Sequence, residues 1–388
     1  MKKSINKSKI FVLTFIIAVL FIPYLSASTG VSKESEDLIS YDAPTWWDDR
    51  YGDSYLNCVS FNQDSLITFN SWQYAAYYNQ SLYVVVSRRQ LPNVSWQHLA
   101  LYDYQQTSYN NHNTISMGIS PGDYRIHLSF DHHSSNLHYR KSVSGLASNP
   151  NNYSWSSSQF EGVVDNFGKG TVASLTYPHF MTAPNNTFMF YARIGTSGDG
   201  DNYIWRYNNN GSWTTMGQFL EGGSENAYFH GIAYDTSNRL HATWCWRATS
   251  DGTTNHDLMY AYSDDHGNSW KNNSGSTLAT TWSYPITTGK YFLVYSIAQG
   301  AGLINQEGMI TDAQNRVHVI SRENISGTNF QMHYWRDTGG TWHRVNTGII
   351  TKIWDNRSKI AYDNDGDIDI IDALLVAQFY IGFISGFC

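Results

Sequence analysis

The sequence of 388 residues has few cysteines and few charged residues, and both shortages exclude classes of protein. Its three cysteines, Cys58, Cys245 and Cys388, are odd in number and far apart, so they imply no disulfide framework. Charged residues make up 15% and give a net charge of -7, which argues against a protein that binds nucleic acid by neutralising phosphates. Aromatic residues are abundant instead, at 15% within a hydrophobic share of 41%, which excludes a disordered chain and can supply a large core.

The N-terminus has the composition of a secretory signal peptide. Four lysines lie within residues 1–9, and a nearly continuous apolar run follows at residues 10–24, before the small residues Ser26, Ala27 and Ser28. We therefore predict a signal peptide over residues 1–27, cleavage near Ala27 and a secreted protein. No later apolar run reaches the length of a membrane span, so we expect no membrane association after cleavage.

One short pattern recurs along the chain: an apolar strand, a turn of Asp, Asn, Ser or Pro, and a second strand that alternates apolar and polar residues. Copies occur at residues 116–128, 180–190, 231–242, 309–319 and 360–370, with a looser copy at 75–86. Such repeats without intervening helices are typical of the blades of a β-propeller, which stack radially to bury their faces. We predict an all-β, seven-bladed β-propeller over residues 28–371, with the seventh copy between Asp265 and Met309.

The repeats also predict a basic pocket at one end of this fold. Five basic residues occupy equivalent positions after the turns, namely Arg89, His133, Arg193, Arg247 and Arg322. The residues that enter the first strands from the same end include His112, Tyr177, Tyr228 and His230. Because strand parity is shared, these side chains are expected to converge. Each alone is typical of a solvated strand end, whereas the set indicates a pocket for a carboxylate or sulfate group.

Several motifs together resemble the bacterial-neuraminidase-repeat propellers of the ulvan lyase type, polysaccharide lyase families 24 and 25. They lie at residues 111–116, 129–133, 176–180, 243–247 and 255–258, and the resemblance extends over roughly residues 41–369. It implies a seven-bladed propeller that cleaves ulvan, a sulfated polysaccharide of rhamnose and uronic acid, by β-elimination. The family's two histidines, tyrosine and arginine correspond to His112, the pair His132 and His133, Tyr177 and Arg193. Strand parity favours His133 over His132.

The resemblance also implies roles for these residues. Arg193 would neutralise the uronate carboxylate, while Tyr177 and His112 would act as the base that removes the C5 proton or the acid that protonates O4. Arg89, Tyr228, His230, Arg247 and Arg322 would bind the anionic polysaccharide. Alternatives are an exo-acting rhamnose-glucuronate lyase, a rhamnosidase and a non-catalytic carbohydrate-binding propeller. Because a hydrolase usually needs two carboxylates and this set has none, the residues favour elimination.

Metal binding is predicted only as a structural feature, because the proposed chemistry requires no cofactor. Cys245 and His256 could bind zinc across neighbouring strands, although a buried free cysteine is the simpler interpretation of Cys245. Asp365, Gly366 and Asp372 resemble part of a calcium-binding dockerin loop. The C-terminal tail, residues 372–388, is therefore either the end of the propeller or a partial dockerin that would bind a cohesin partner.

Overall fold

The structure is a computed structural model and describes residues 38–43, 47–49, 52–54, 56–57, 64–93, 95–107, 110–208, 210–351, 357–362 and 368–371. The predicted signal peptide, Cys58, Cys388, the tail at 372–388 and most of the predicted calcium loop lie outside these residues.

The described chain is built almost entirely of β-strands, which confirms the all-β prediction. The strands are β1 (Trp47–Asp49), β2 (Gly52–Ser54), β3 (Leu66–Phe69), β4 (Trp72–Tyr78), β5 (Tyr83–Gln90), β6 (Gln97–Gln105), β7 (Ser116–Ile119), β8 (Ile126–Ser129), β9 (His133–Ser135), β10 (Tyr139–Lys141), β11 (Leu175–Thr182), β12 (Phe188–Thr196), β13 (Asp199–Tyr207), β14 (Trp213–Leu220), β15 (Asn226–Tyr234), β16 (Leu240–Arg247), β17 (Asn255–Ser263), β18 (Ser269–Lys271), β19 (Thr277–Thr280), β20 (Leu293–Tyr295), β21 (Gly308–Thr311), β22 (Val317–Ile325), β23 (Thr328–Arg336), β24 (Trp342–Ile350), β25 (Lys359–Tyr362) and β26 (Ile368–Ile371). Helical structure in the described residues consists of short 3₁₀ turns at Pro150–Asn152, Ser157–Gln159, Gly252–Thr254 and Lys290–Phe292, and none of them could cross a membrane.

Consecutive strands pair antiparallel, so the chain forms successive meanders. These groups are β3–β6, then β7, β8 and β10, then β11–β14, then β15–β17 with β18–β20 at the outer edge, then β21–β24 and the hairpin β25–β26. The first strands of neighbouring groups contact each other: the Met117 N–H donates to the Asp64 carbonyl, and the Phe180 N–H donates to Ser116 Oγ, both at 3.2 Å. First strands that pack side by side are typical of propeller blades around an axis.

The repeated turns between first and second strands are fixed by an aspartate. In the turn after β15, Asp235 Oδ1 accepts the N–H groups of Ser237 and Arg239, and Asp235 Oδ2 lies 3.2 Å from His241 Nε2. In the turn after β21, Asp312 makes the equivalent contacts with the N–H groups of Gln314 and Arg316 and with His318 Nε2. The recurring histidine therefore stabilises its turn. We call the end of the molecule that carries these turns the turn end, and the opposite end the site end.

Arg89 lies at the turn end, which corrects the prediction that it joins the basic pocket. The looser copy of the repeat at 75–86 contains a turn at 79–81. In the other copies the turn joins the first strand to the second, but this turn joins β4 to β5, the second and third strands of their group. The ring centroids of Phe69 and Tyr124, at the first turns of two neighbouring groups, are 5.9 Å apart and identify the true equivalent. Arg89 therefore ends at the turn end, where its Nε donates to Gln73 Oε1 at 2.7 Å.

The segment between Asp265 and Met309 forms no sheet of its own. Its strands β18 and β19 extend the sheet that contains β17, and β20 also pairs with β17. The turn at 263–270, which joins β17 to β18, has the S-x-D-x-G-x-x-W pattern called an Asp box. Asp265 closes this turn by accepting hydrogen bonds from the N–H and Oγ of Ser269, and Trp270 is fully buried. The blade number of seven stays a prediction.

Candidate active site

Tyr177 lies near the start of strand β11, at the site end, and occupies a bulge of that strand. Thr176 pairs with Arg193 and His179 pairs with Tyr191, so Tyr177 and Pro178 together oppose a single residue of β12. Tyr177 has a φ of +58°, which is rare for a side chain of this size and marks a strained position. The bulge thus turns the phenol out of the regular strand alternation and towards the neighbouring strands.

Two arginines and a second tyrosine pack beside Tyr177. Arg193 donates to Tyr228 Oη at 3.3 Å and to Thr176 Oγ1 at 2.9 Å, and its guanidinium carbon lies 5.0 Å from the centre of the Tyr177 ring. Arg247 also donates to Tyr228 Oη, at 3.2 Å, and its guanidinium carbon lies 4.2 Å from the centre of that ring. The sequence prediction that these residues converge agrees with this arrangement, which concentrates positive charge suited to an anionic ligand.

His112 and His133 lie against each other at the same end. Their rings stack with centroids 4.2 Å apart and planes 4° apart, and the His112 ring is 5.9 Å from that of Tyr177. Asn110 contacts both histidines: its Oδ1 is 2.8 Å from His112 Nδ1, and its Nδ2 is 2.6 Å from His133 Nδ1. The loop before β7 and the loop before β9 therefore deliver two imidazoles to one place.

Asp131 fixes these two loops to each other. Its Oδ1 accepts from Asn113 Nδ2 at 2.7 Å, next to His112, while its Oδ2 accepts from Tyr104 Oη at 2.5 Å. The Asp131 N–H donates to Tyr78 Oη at 2.9 Å, and its φ of +59° turns the chain towards His133. This framework holds the histidine pair at a defined position beside Tyr177.

The surroundings shift the proton affinities of His112 and Tyr177 in opposite directions. Burial, with His133 and the nearby arginines, lowers the pKa of His112 to about 3, so its imidazole is neutral at neutral pH. Burial and Tyr228 raise the pKa of Tyr177 to about 12, although three arginines oppose this shift, so the phenol keeps its proton. The free site therefore offers one proton acceptor and one proton donor.

Three residues of this site, Arg357, Asn305 and Asn110, were not predicted from the sequence. Arg357 lowers the pKa of both His112 and Tyr177, and its Nε donates to the Asn305 carbonyl at 2.8 Å. Arg247 donates to the Asn305 side chain at 2.6 Å, so Asn305 connects the two arginines. Arg357 lies just before β25, the same kind of position as His112, so the repeat at residues 360–370 carried a signal for it, whereas Asn110 gave no signal beyond its proximity in sequence to His112.

Three other predicted site residues, His132, Arg322 and His230, lie in buried positions. His132 is fully buried, with its Nε2 3.0 Å from Ser129 Oγ. His133 is therefore the member of the pair that stacks on His112. Arg322 is also fully buried, and its Nε donates to the Gly302 carbonyl at 2.7 Å. His230 occupies a bulge of β15, where it is buried and where desolvation lowers its pKa to about 3.

The zinc prediction for Cys245 and His256 gains no support from the described residues. Cys245 is a buried free thiol that contacts the Tyr228 carbonyl at 3.8 Å, and desolvation raises its pKa to about 12. His256 instead lies near the carboxylates of Glu225, at 3.5 Å, and Asp257, at 3.3 Å. Within the described ranges, no three His, Cys, Asp or Glu side chains are grouped as a metal site would need.

Comparison with known proteins gives a family match that spans most of the chain. The profile described as "BNR repeat-containing family member" matches residues 72–348. The chain is 28% identical to the long isoform of ulvan lyase from Alteromonas sp. (strain LOR) and 27% identical to that from Pseudoalteromonas sp. (strain PLSV). Each match covers 44% of this chain and 21% of the relative, so the chain spans about a fifth of the length of these curated relatives.

Solved structures share the fold at low sequence identity. Polysaccharide lyase Uly1 superposes with a TM-score of 0.64 at 18% identity, over 87% of this chain and 88% of that chain. A polysaccharide lyase family 25 ulvan lyase superposes with a TM-score of 0.60 at 14% identity, over 84% of this chain and 77% of that one. That lyase has also been solved bound to -[GlcA(1-4)Rha3S]-. These matches confirm the β-propeller fold predicted from the repeats.

Proposed function

This chain belongs to the BNR repeat-containing family, and we propose that it is a polysaccharide lyase that cleaves ulvan by β-elimination at the uronic acid. The observation that carries the proposal is the convergence of Tyr177, the pair His112 and His133, and Arg193 with Arg247 at one end of the propeller. The named ulvan lyases among its relatives support the choice of substrate.

Arg193 has the position and charge to bind the uronate carboxylate. Removal of the C5 proton would place negative charge beside an anionic carboxylate, so a cation there stabilises the enolate-like intermediate. Arg193 is held by Thr176 and Tyr228, which orients its guanidinium before substrate arrives. Arg247 and Arg357, which Asn305 connects, would bind the sulfate or a flanking uronate.

His112 is the proposed base and Tyr177 the proposed acid. The base accepts the C5 proton, the electron pair of that bond forms the C4–C5 double bond, and the C4–O4 bond breaks as O4 takes a proton from the phenol. The neutral His112 ring can accept a proton, and the high pKa of Tyr177 keeps its proton available. A bound carboxylate would raise the pKa of His112 and so strengthen this base during the reaction.

The proposal is tested by incubating the purified protein with ulvan and following ultraviolet absorbance. We expect absorbance from the unsaturated uronate to rise in step with new reducing ends. Reducing ends without absorbance would indicate a hydrolase such as a rhamnosidase, and binding without either signal would indicate a non-catalytic carbohydrate-binding propeller. Separation of the early products by size distinguishes internal cleavage from exo-acting release.

We also propose that the protein acts after export, as its N-terminal sequence predicts. The protein fractionated from culture of its source would be found in the medium, with an N-terminus near Ser28.

A further inference from the structure

We propose that Asn110 is a positioning residue that imposes opposite tautomers on His112 and His133, so that one ring presents a proton acceptor and the other a hydrogen-bond donor. The catalytic consequence rests on the proposed lyase function. The tautomers themselves are properties of the free protein and can be measured without substrate.

The orientation of the Asn110 amide follows from a backbone contact. The His112 N–H donates to one side-chain atom of Asn110 at 2.9 Å, and a donor must face an acceptor, so that atom is the oxygen Oδ1. The opposite atom of the amide is therefore the nitrogen Nδ2, which lies 2.6 Å from His133 Nδ1. The backbone of Asn110 is also held in a turn, because the Asn113 N–H donates to the main-chain carbonyl of Asn110 at 3.0 Å.

The amide orientation then decides where each neutral histidine carries its hydrogen. Oδ1 is also 2.8 Å from His112 Nδ1, so that nitrogen carries the hydrogen and His112 Nε2 carries the lone pair. Nδ2 can only donate, so His133 Nδ1 carries the lone pair and His133 Nε2 carries the hydrogen. Since the rings stack within 4° of parallel, one asparagine gives the pair complementary functions.

The same contacts direct an incoming proton to His112. A proton that arrives at His112 Nε2 leaves the bond from Nδ1–H to Asn110 intact and charge-assisted. A proton on His133 Nδ1 would set two donors against each other across 2.6 Å and break that contact. The cations around the pair, Arg193, Arg247 and Arg357, oppose protonation of His112 until an anion binds among them. Asn110 thus assigns the base role to His112 and leaves His133 as a neutral hydrogen-bond donor beside it.

Two substitutions separate this role from simple packing. Asn110→Asp keeps the shape but removes the donor, so His133 must present a hydrogen on Nδ1 to the carboxylate. Asn110→Leu removes both contacts. The matched control is Asn151→Asp, which makes the same charge change at an exposed position away from the site.

The direct measurement is long-range ¹H–¹⁵N correlation spectroscopy of the full chain labelled in histidine, with His112→Ala and His133→Ala used for assignment. In the wild type we expect His112 protonated on Nδ1 and His133 on Nε2. In Asn110→Asp, His133 should acquire a proton on Nδ1, whereas Asn151→Asp should match the wild type. A wild type in which either ring has the other tautomer overturns the proposal, as does an unchanged His133 in Asn110→Asp.

The kinetic measurement follows kcat and KM on ulvan over a range of pH. Asn110→Leu should lower kcat by about 10²-fold with KM within about threefold, because the base loses its orientation. Asn110→Asp should move the acidic limb of the kcat profile up by about one pH unit, because a new negative charge favours protonated histidine. Unchanged profiles in both variants would contradict the proposal. A wild type with the expected tautomers but no cleavage would refute the lyase function and leave the assignment of the tautomers in place.

Discussion

Tyr177 is the residue on which the proposed acid chemistry depends. Its phenol keeps a proton because burial and Tyr228 raise its pKa to about 12, and its ring lies beside both Arg193 and His112. We expect Tyr177→Phe to lower kcat on ulvan by about 10²- to 10⁴-fold, the usual contribution of a general acid, with little change in KM. Steady-state kinetics on the purified variant measures this loss.

Tyr102→Phe is the matched control for that substitution. Tyr102 lies on the outer strand β6 with 71% of its surface exposed, so removal of its hydroxyl should leave both kinetic constants near those of the wild type. Near-native kcat in Tyr177→Phe would remove Tyr177 from the mechanism.

The pH dependence of the reaction follows from the two shifted pKa values. A base works only above its pKa and an acid only below it, so values of about 3 for His112 and about 12 for Tyr177 leave both groups competent in between. We expect kcat/KM, which reports the free enzyme, to be flat from about pH 5 to pH 9. The acidic limb of kcat should lie at higher pH than that of kcat/KM, because bound carboxylate raises the pKa of His112.

Rates measured on ulvan across this pH range, at low and at saturating concentration, give the two profiles. An acidic limb of kcat/KM near pH 6.5, the ordinary pKa of histidine, would show that the base is not the buried His112.

At the residue scale, the sequence identified most of the cluster. Arg193, Arg247 and His133 were found by their positions after a repeated turn, and His112 and Tyr177 by their positions before a first strand, which the family motifs also contain. Arg89 was placed in the pocket wrongly because the turn before it joins the second and third strands of its group, whereas the other turns join the first and second strands.

At the scale of single elements, a bulge in β11 determines the direction of Tyr177. A regular strand would alternate the side chains of β11 and β15 without interruption, whereas the bulges at residues 177–178 and at His230 reset that alternation. Period-two patterns in a sequence do not contain this information, since an inserted residue looks like any other. The strands and their turns could therefore be predicted, while the direction of Tyr177 could not.

A glycine on a first strand tests how neighbouring blades pack. A Cβ added at Gly118 in β7 would lie 2.7 Å from both Phe180 Cβ and Phe188 Cζ, atoms of the next strand group. Gly118→Ala should therefore lower the free energy of unfolding by about 1–3 kcal/mol, the cost of overpacking a core. Denaturant unfolding followed by tryptophan fluorescence measures the change.

Gly162→Ala is the control, because no atom lies within 4 Å of the added Cβ. Equal stability of the two variants would mean that the contact between β7 and β11 is looser than the structure indicates.

At the scale of the whole molecule, the site is positively charged although the protein as a whole is negatively charged. The chain has a net charge of -7, yet Arg193, Arg247 and Arg357 surround Tyr177. The excess of acidic residues therefore argues against a phosphate-binding surface but not against a local site for an acidic sugar. The repeats were sufficient to predict a propeller, because each repeat can bury its faces only against its neighbours. They did not yield the blade number, because the segment between Asp265 and Met309 extends an existing sheet.

The central claim, cleavage of ulvan by elimination, is tested most directly by the mass of the smallest oligosaccharide product. Elimination adds no water, so we expect a product with an unsaturated uronate at its non-reducing end that is lighter by one water molecule than the product of hydrolysis. The same digestion with Tyr177→Phe should yield far less of it. A product with the full mass of the hydrolysed oligosaccharide would contradict the account.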